Sequence, residues 1–447
     1  MAQTKTDFSK GSVRKLILSQ AIPLTLAQTV QLLYNVVDRI YIGHLPQIGD
    51  LALTGLGITF PVIVLIAGFT SLFATGGATL FAIARGKGEE DEAENIIGNV
   101  FCLLLLSALI LTGGCYVFRR PILFAFGASE NSYLYADDYL KIYLLGTVCS
   151  MVATGLNPYI NAQGFPKIGM LTTVIGAVIN ILLDPVFIFG LRMGVAGAAL
   201  ATILSQAVSA VWVLRFLTGK QAILKLKTKK VRIDPARTGR ILSLGLPGFV
   251  VQGTNSLVSI VCNNQLQAYG GDLYVGIMTI INSVREMVSL PVMGISHGCQ
   301  PVMGFNYGAG KYDRVKECIR FTAVLGLGYT LAAWAVVMVI PKTLIGIFSE
   351  DVQTIALGAQ MLNLYFFGFF FMAFQFAGQS TFQALGRAKQ AIFFSLLRKA
   401  FIVVPLTLLL PGLGFGVQGV FLAEPISNAL GGLAAFTTMY ITVYRKL

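Results

Sequence analysis

Two aspartates stand in stretches too apolar to hydrate them. Asp184 sits in Asn180-Ile-Leu-Leu-Asp184-Pro185, and Asp38 in Tyr34-Asn-Val-Val-Asp38-Arg39. A carboxylate at the centre of a bilayer costs roughly 2.5–3.5 kcal/mol on insertion scales, and such acids mark ion or proton paths. Asn180 lies one turn before Asp184 and shares its helix face, while Thr202 offers a hydroxyl on the next apolar segment. Two carboxylates, an amide oxygen and a hydroxyl make an oxygen-only set. It suits a hard cation, or a proton where desolvation favours the neutral acid. Asp38 has a structural alternative, as a partner of Arg39 or as a helix-end residue among lipid headgroups.

The second half of the chain carries a different polar set: Gln252, Asn263, Asn264, Arg285, Glu286, Gln300, Gln375, Gln379, Arg398 and Glu424. Most are neutral hydrogen-bonders, suited to tying helices together or to adaptable ligand contacts. Gln252, Glu286, Gln300 and Arg398 are the candidates for substrate contact here. Glu286 can also neutralise Arg285 or Arg398, and Glu424-Pro425 can be structural. Phe366 to Phe371, with Met293 and Met303, either line a pliable apolar pocket or pack.

The elements that position these residues are membrane helices. The 447 residues are 55% hydrophobic and only 12% charged, with mean hydropathy +0.74, whereas about a quarter of a soluble domain is charged. Apolar runs near the 20 residues needed to cross a bilayer recur, giving expected spans at 14–42, 52–82, 96–118, 134–162, 168–190, 195–217, 238–267, 273–304, 318–341, 354–383, 389–411 and 416–442. The start reads as a first transmembrane helix rather than a cleaved signal peptide. Six cysteines are scattered singly, without metal spacing, and read as reduced core thiols.

The net charge of +13 is concentrated. Arg215, Lys220, Lys225, Lys227, Lys229, Lys230, Arg232, Arg237 and Arg240 cluster at the centre against one acid, Asp234. The positive-inside rule reads this cluster as cytoplasmic topology rather than a nucleic-acid interface, and puts the central loop and both termini in the cytoplasm. The loop from Arg85 to Glu92 is inner yet acidic, and acids weigh little in that rule.

The chain also repeats itself. Gly76, Gly86, Gly88 and Asp91 recur as Gly298, Gly308, Gly310 and Asp313, each 222 residues later. Ala162, Gly164, Lys167, Gly194 and Gly197 recur at the same spacing, and Pro23 and Pro185 have partners in Pro247 and Pro405. The fold expected is an all-α integral membrane protein with twelve transmembrane helices in two pseudo-symmetric six-helix lobes. Residues 1–217 form the first lobe, 218–237 a basic cytoplasmic linker, and 238–447 the second lobe. Six spans per lobe make the repeat parallel, with a cleft between halves, an architecture of transporters. The aspartates have no counterparts: Asp38 falls opposite Cys262 and Asp184 opposite Val404.

Asp38 in its Tyr-Ile-Gly context, Asn180-x-x-x-Asp184-Pro185-x-Phe187-Ile-Phe-Gly190, Gly194-Val-Ala-Gly197-Ala-Ala-x-Ala-Thr202 and Gln300-Pro301-x-x-Gly304-x-Asn306-Tyr307-Gly308-Ala309-Gly310 together resemble the multidrug and toxic compound extrusion (MATE) family, in its DinF-like and MepA-like bacterial branches. The likeness runs nearly end to end. It implies a multi-pass protein of the bacterial cell (inner) membrane, exporting organic cations or amphipathic drugs against an inward H⁺ or Na⁺ gradient. It implies no cofactor beyond that coupling ion. In similar proteins the ion is held at positions matching Asp38, Asn180, Asp184 and Thr202, with Tyr34 and Asn157 near substrate. Glu424 departs from the pattern, in which an acid lies a few residues later. A monomer in the lipid bilayer is the expected state, with no nucleic-acid partner.

The alternative within transport is a lipid-linked precursor flippase of the wider superfamily, which calls for a more cationic cleft than Arg285 and Arg398 provide. A sugar-type major facilitator would carry a Gly-x-x-x-Asp-Arg-x-Gly-Arg-Arg loop after its second span, which is absent here. A membrane-embedded enzyme finds no support, since His44 and His297 lie in neither a His-Glu-x-x-His nor a Gly-x-Ser-x-Gly context. No phosphate-binding Gly-x-x-x-x-Gly-Lys-Ser/Thr loop occurs to power a pump.

Overall fold

The computed structural model describes residues 7–43, 45, 49–126 and 128–447. His44 and the side chain of Arg39, and with them any Asp38–Arg39 pairing, lie outside the described residues. Nine helical runs among the described residues are long and apolar enough to cross a bilayer, and Ser132–Leu145 with Thr147–Ala162 adds a span bent by 58°. Two of the nine are double. Pro235–Gly308 covers 74 residues, about 110 Å of helix where about 30 Å of hydrocarbon must be crossed. It breaks at Gly271, where φ is 69°. Ala388–Tyr444 likewise breaks at Gly414 and Gly416, with φ of 98° and 51°. The protein therefore has twelve transmembrane helices, six in each half.

In chain order these are α1 (Val13–Gly43), α2 (Ala52–Lys87), α3 (Glu90–Val117), α4 (Ser132–Leu145 with Thr147–Ala162), α5 (Pro166–Gly190), α6 (Val195–Thr218), α7 (235–270), α8 (272–308), α9 (Tyr312–Val339), α10 (Val352–Ala384), α11 (388–413) and α12 (416–444). Two short helices, Arg119–Ala125 and Pro341–Gly346, follow α3 and α9. They have no counterpart in the expected spans, being too short to leave a hydropathy signal. Large apolar side chains such as Leu109, Val211, Val339 and Phe401 are more than half exposed, as lipid-facing positions must be.

The repeated glycines are backbone requirements. Gly194 (φ 57°, ψ −132°) and Gly416 (φ 51°, ψ −137°) adopt a conformation essentially closed to other residues. Three residues on, a Cβ at Gly197 would sit 2.8 Å from the Phe187 backbone, and one at Gly419 2.8 Å from that of Leu410. The α5–α6 and α11–α12 hairpins thus turn and close on themselves in the same way.

The chain folds as two compact units. The first holds residues 26–245 and the second residues 8–25 with 246–447, a division that differs from the stretches 1–217 and 238–447. Glycine contacts give the reason. In the second unit, a Cβ on Gly298 would lie 2.7 Å from the Ala21 nitrogen, and one on Gly294 1.9 Å from the Thr25 hydroxyl. In the first unit, a Cβ on Gly76 would lie 2.1 Å from the Ile241 carbonyl, and one on Gly245 1.6 Å from that of Leu72. The beginning of α1 is thereby packed on α8, and the beginning of α7 on α2.

The basic connection lies on α3 inside the first unit. Arg237 grips Glu92 with three hydrogen bonds of 2.7–3.1 Å and pairs with Asp234 at 2.5 Å. Lys230 binds Asp91 and Glu94, and Lys227 reaches Glu94 at 2.6 Å. The acids that begin α3 are therefore the counter-charges of the connection. Asp234 also caps α7: its carboxylate accepts from the Arg237 N–H at 3.0 Å, ahead of Pro235 at the first helical position. That backbone bond holds the Asp234 carboxyl below the usual carboxylate range.

Gly76→Val is expected to remove the single symmetric peak of the detergent-solubilised protein in gel filtration, because no side chain fits against Ile241. Gly113→Val, at a site with nothing within 4 Å, is expected to keep it. Equal profiles for both variants would contradict the close approach.

Candidate functional site

The first unit contains a cavity with about 1370 Å³ of empty space, bordered by α1, α2, α4 and α6. Its polar wall is Gln31, Tyr34, Asn35, Asp38, Tyr139, Tyr143 and Thr202. The Tyr34 and Tyr139 hydroxyls both interact with the Thr202 side chain. Behind this wall, Asn180 and Asp184 have no exposed surface. The Asn180 amide lies 3.3 Å from the Thr202 hydroxyl. Turned to satisfy both of its ends, it donates to Asp184 Oδ2 at 2.9 Å and accepts from the Thr202 N–H at 3.2 Å. Asp184 Oδ1 has no hydrogen-bond partner among the described residues, and Asp38 is near enough to interact with Asp184 electrostatically.

Local sequence builds this arrangement. Pro185 is followed at once by a π-helical turn, Val186–Gly190, where the backbone widens in the manner often found at functional positions. The i, i+4 spacing keeps Asn180 and Asp184 on the side that meets α6. The four expected ion-coupling residues, Asp38, Asn180, Asp184 and Thr202, are thus gathered in one place. Among the described residues no three His, Cys, Asp or Glu side chains converge as metal ligands. Two carboxylates with neutral oxygens form a hard, oxygen-only set.

A second hollow of about 400 Å³ adjoins the first through Gln31, Tyr34 and Gln206, which line both. Asn157 faces it, donating to the Gly169 carbonyl at 3.1 Å and leaving its own carbonyl oxygen unpartnered among the described residues. Tyr34 accordingly sits beside the acidic pair, and Asn157 lies in the adjoining hollow.

The second unit has its own cavity, with about 480 Å³ of empty space. Its walls occupy repeat-equivalent positions. Asn255, Val258, Ser259 and Cys262 stand 224 residues after Gln31, Tyr34, Asn35 and Asp38, while Arg285, Tyr365 and Glu424 stand 222 after Ile63, Tyr143 and Thr202. The charge differs. Glu424 is bound by Lys399 at 3.1 and 3.2 Å and by Arg398 at 3.1 Å, with Arg285 at 3.9 Å. Arg398 also donates to Asn428 at 2.7 Å.

Other expected contacts fall elsewhere. Gln252 and Glu286 are exposed. Glu286 forms no ion pair among the described residues, because Arg285 and Arg398 turn to Glu424 instead. Gln300 donates to Gln383 at 2.9 Å and lines neither cavity. Gln379 ties α10 to α11 through Ser395 at 2.7 Å, and Phe366, Phe369 and Met303 are packed in buried core. Lys399 escaped the sequence reading, as did Tyr139 and Tyr143. The 222-residue offset applied to Thr202 leads to Glu424, and a lysine inside the apolar run 389–411 was the available signal.

The MatE family model matches this chain twice, over residues 23–186 and 247–409. Multidrug export protein MepA of Staphylococcus haemolyticus (strain JCSC1435) is 26% identical over 436 residues, covering 97% of this chain and 94% of that protein. MepA of Staphylococcus aureus (strain MSSA476) is 24% identical over 437 residues, covering 97% and 95%. A solved outward-facing structure of a multidrug resistance MATE family transporter of the MOP superfamily matches with a TM-score of 0.92 at 21% identity, over 99% of each chain. At that identity the likeness is one of fold.

Glu424→Ala leaves Arg285, Arg398 and Lys399 without their shared counter-charge. Removing one partner of a buried ion pair costs about 3–5 kcal/mol, so the purified variant is expected to unfold at a clearly lower temperature than the parent. An unchanged melting curve would show that the cluster contributes nothing to stability.

Proposed function

This chain belongs to the MatE family, and on that premise we propose that it is a secondary active multidrug exporter of a bacterial cell membrane, exchanging cationic or amphipathic compounds for H⁺ or Na⁺ by alternating access. Its family is one of transporters rather than enzymes, and relatives covering nearly the whole chain carry the name multidrug export protein. The observation that carries the coupling role is the buried Asp184, held by Asn180 beside Thr202, behind the wall of a cavity that Tyr34, Asp38 and Thr202 line. Driving ion and cargo compete for one patch of negative charge. Neutralising the aspartates weakens the hold on a cationic cargo, and release of the ion restores it. An ion drives such a cycle only through the difference in its affinity for the two states.

The cavity lining supports a small organic cargo, since pockets for such molecules are mostly apolar with a few placed polar groups. Leu53, Leu56 and Phe60 supply the apolar side, and tyrosine faces suit a cation. The basic connection and the Lys and Arg near 311–320 favour a cytoplasmic position for the central segment and both termini.

In reconstituted vesicles, Asp184→Asn is expected to abolish dye efflux driven by either gradient while the amount of inserted protein stays unchanged. Full efflux by that variant would overturn the assignment. Imposing Na⁺ and pH gradients separately, with a panel of cationic dyes, identifies the coupling ion by which gradient alone sustains efflux.

A further inference from the structure

The second unit's cavity has a charge imbalance that its own residues do not correct. Arg285, Arg398 and Lys399 surround one carboxylate, Glu424, while Glu286 acts on Arg285 only from beyond ion-pair distance, so cations outnumber acids here. Lys399 is 5% exposed and Glu424 5%, so bulk water screens neither well, and an uncompensated buried charge is costly. The three cations are not equivalent. Lys399 and Arg398 hold Glu424 by hydrogen bonds, and Arg398 is further fixed by Asn428. Arg285 makes only the 3.9 Å approach to Glu424 and forms no hydrogen bond among the described residues. Its guanidinium faces the cavity, and its side chain is 31% exposed.

A guanidinium with unused donors in a fork matches the two oxygens of a carboxylate. Around it the wall is mixed. Val258, Met278 and Val420 supply an apolar surface, and Asn282 lies one turn before Arg285 on the same face. We propose that this cavity is a binding site for a small organic anion, a carboxylate with an apolar body, whose charged end engages Arg285 and whose body lies against Met278 and Val420. This cargo or ligand class is opposite in sign to the one that the first unit's aspartates favour, and its site is separate from theirs.

The test is calorimetric titration of the purified full-length chain in neutral detergent with benzoate, with its uncharged amide analogue benzamide, and with chloride, at constant pH and sodium. Saturable benzoate binding is expected, with none for benzamide. Arg285→Gln is expected to weaken benzoate binding about tenfold or more, the scale of a lost charge-assisted pair. Lys229→Gln, which removes an exposed linker cation, is expected to leave it unchanged. Asn282→Asp places a carboxylate beside Arg285 without altering side-chain size, and is expected to abolish benzoate binding even should Arg285→Gln fold poorly. Equal binding of benzamide, wild-type affinity in both cavity variants, or chloride binding without benzoate binding would each overturn the proposal.

Discussion

Hydrocarbon offers a buried charge no water, so each charge here is defined by the partners the protein supplies. In the first unit those partners are neutral oxygens and amides: Asp184 has Asn180, which is joined to Thr202. In the second they are opposite charges: Glu424 has Lys399 and Arg398. Thr202 and Glu424 occupy the same position of the repeat. One frame has thus been furnished with cavities of opposite sign.

That divergence is compatible with a common frame because the two jobs fall to different residues. Backbone shape is set by Gly194 and Gly416 at the hairpin turns, and by Gly76 and Gly298 where helices nearly touch. Cavity chemistry is set by side chains that these contacts do not involve. Replacing Asp by Cys at the Asp38–Cys262 position, or Ile by Arg at Ile63–Arg285, alters what the hollow attracts while leaving the turns and close approaches as they were.

Much of this was legible beforehand. A lone acid in an apolar run advertises itself, so Asp184 and its i, i+4 partner Asn180 were readable, and hydropathy located all twelve spans to within several residues. The bend between Leu145 and Thr147 left no proline to announce it. Pairing over long separations was also hidden. The acids at 91–94 looked anomalous in an inner loop until Lys227, Lys230 and Arg237, more than 130 residues later, were seen to be their partners. Lys399 was overlooked because a single cation beside Arg398 suggests mutual repulsion, and only Glu424 on the neighbouring helix explains why both are there. Gln252, Glu286 and Gln300 stand out in the sequence by polarity alone, which does not tell a helix tie from a cavity wall.

The membership of residues 8–25 in the second unit has a consequence for biosynthesis. Phe8, Val13, Leu16 and Ile17 share a buried cluster with Cys299, Val302 and Met303, and Arg314 holds the carbonyls of Phe8 and Gly11 at 3.1 and 2.8 Å. Residues 8–25 therefore wait, once they have left the ribosome, for partners made almost 300 positions later. At about 5–20 residues per second, that wait is roughly 15–60 s. Throughout it an apolar segment must be sheltered by lipid or by the insertion machinery, so residues 8–25 reach their final neighbours long after they are made.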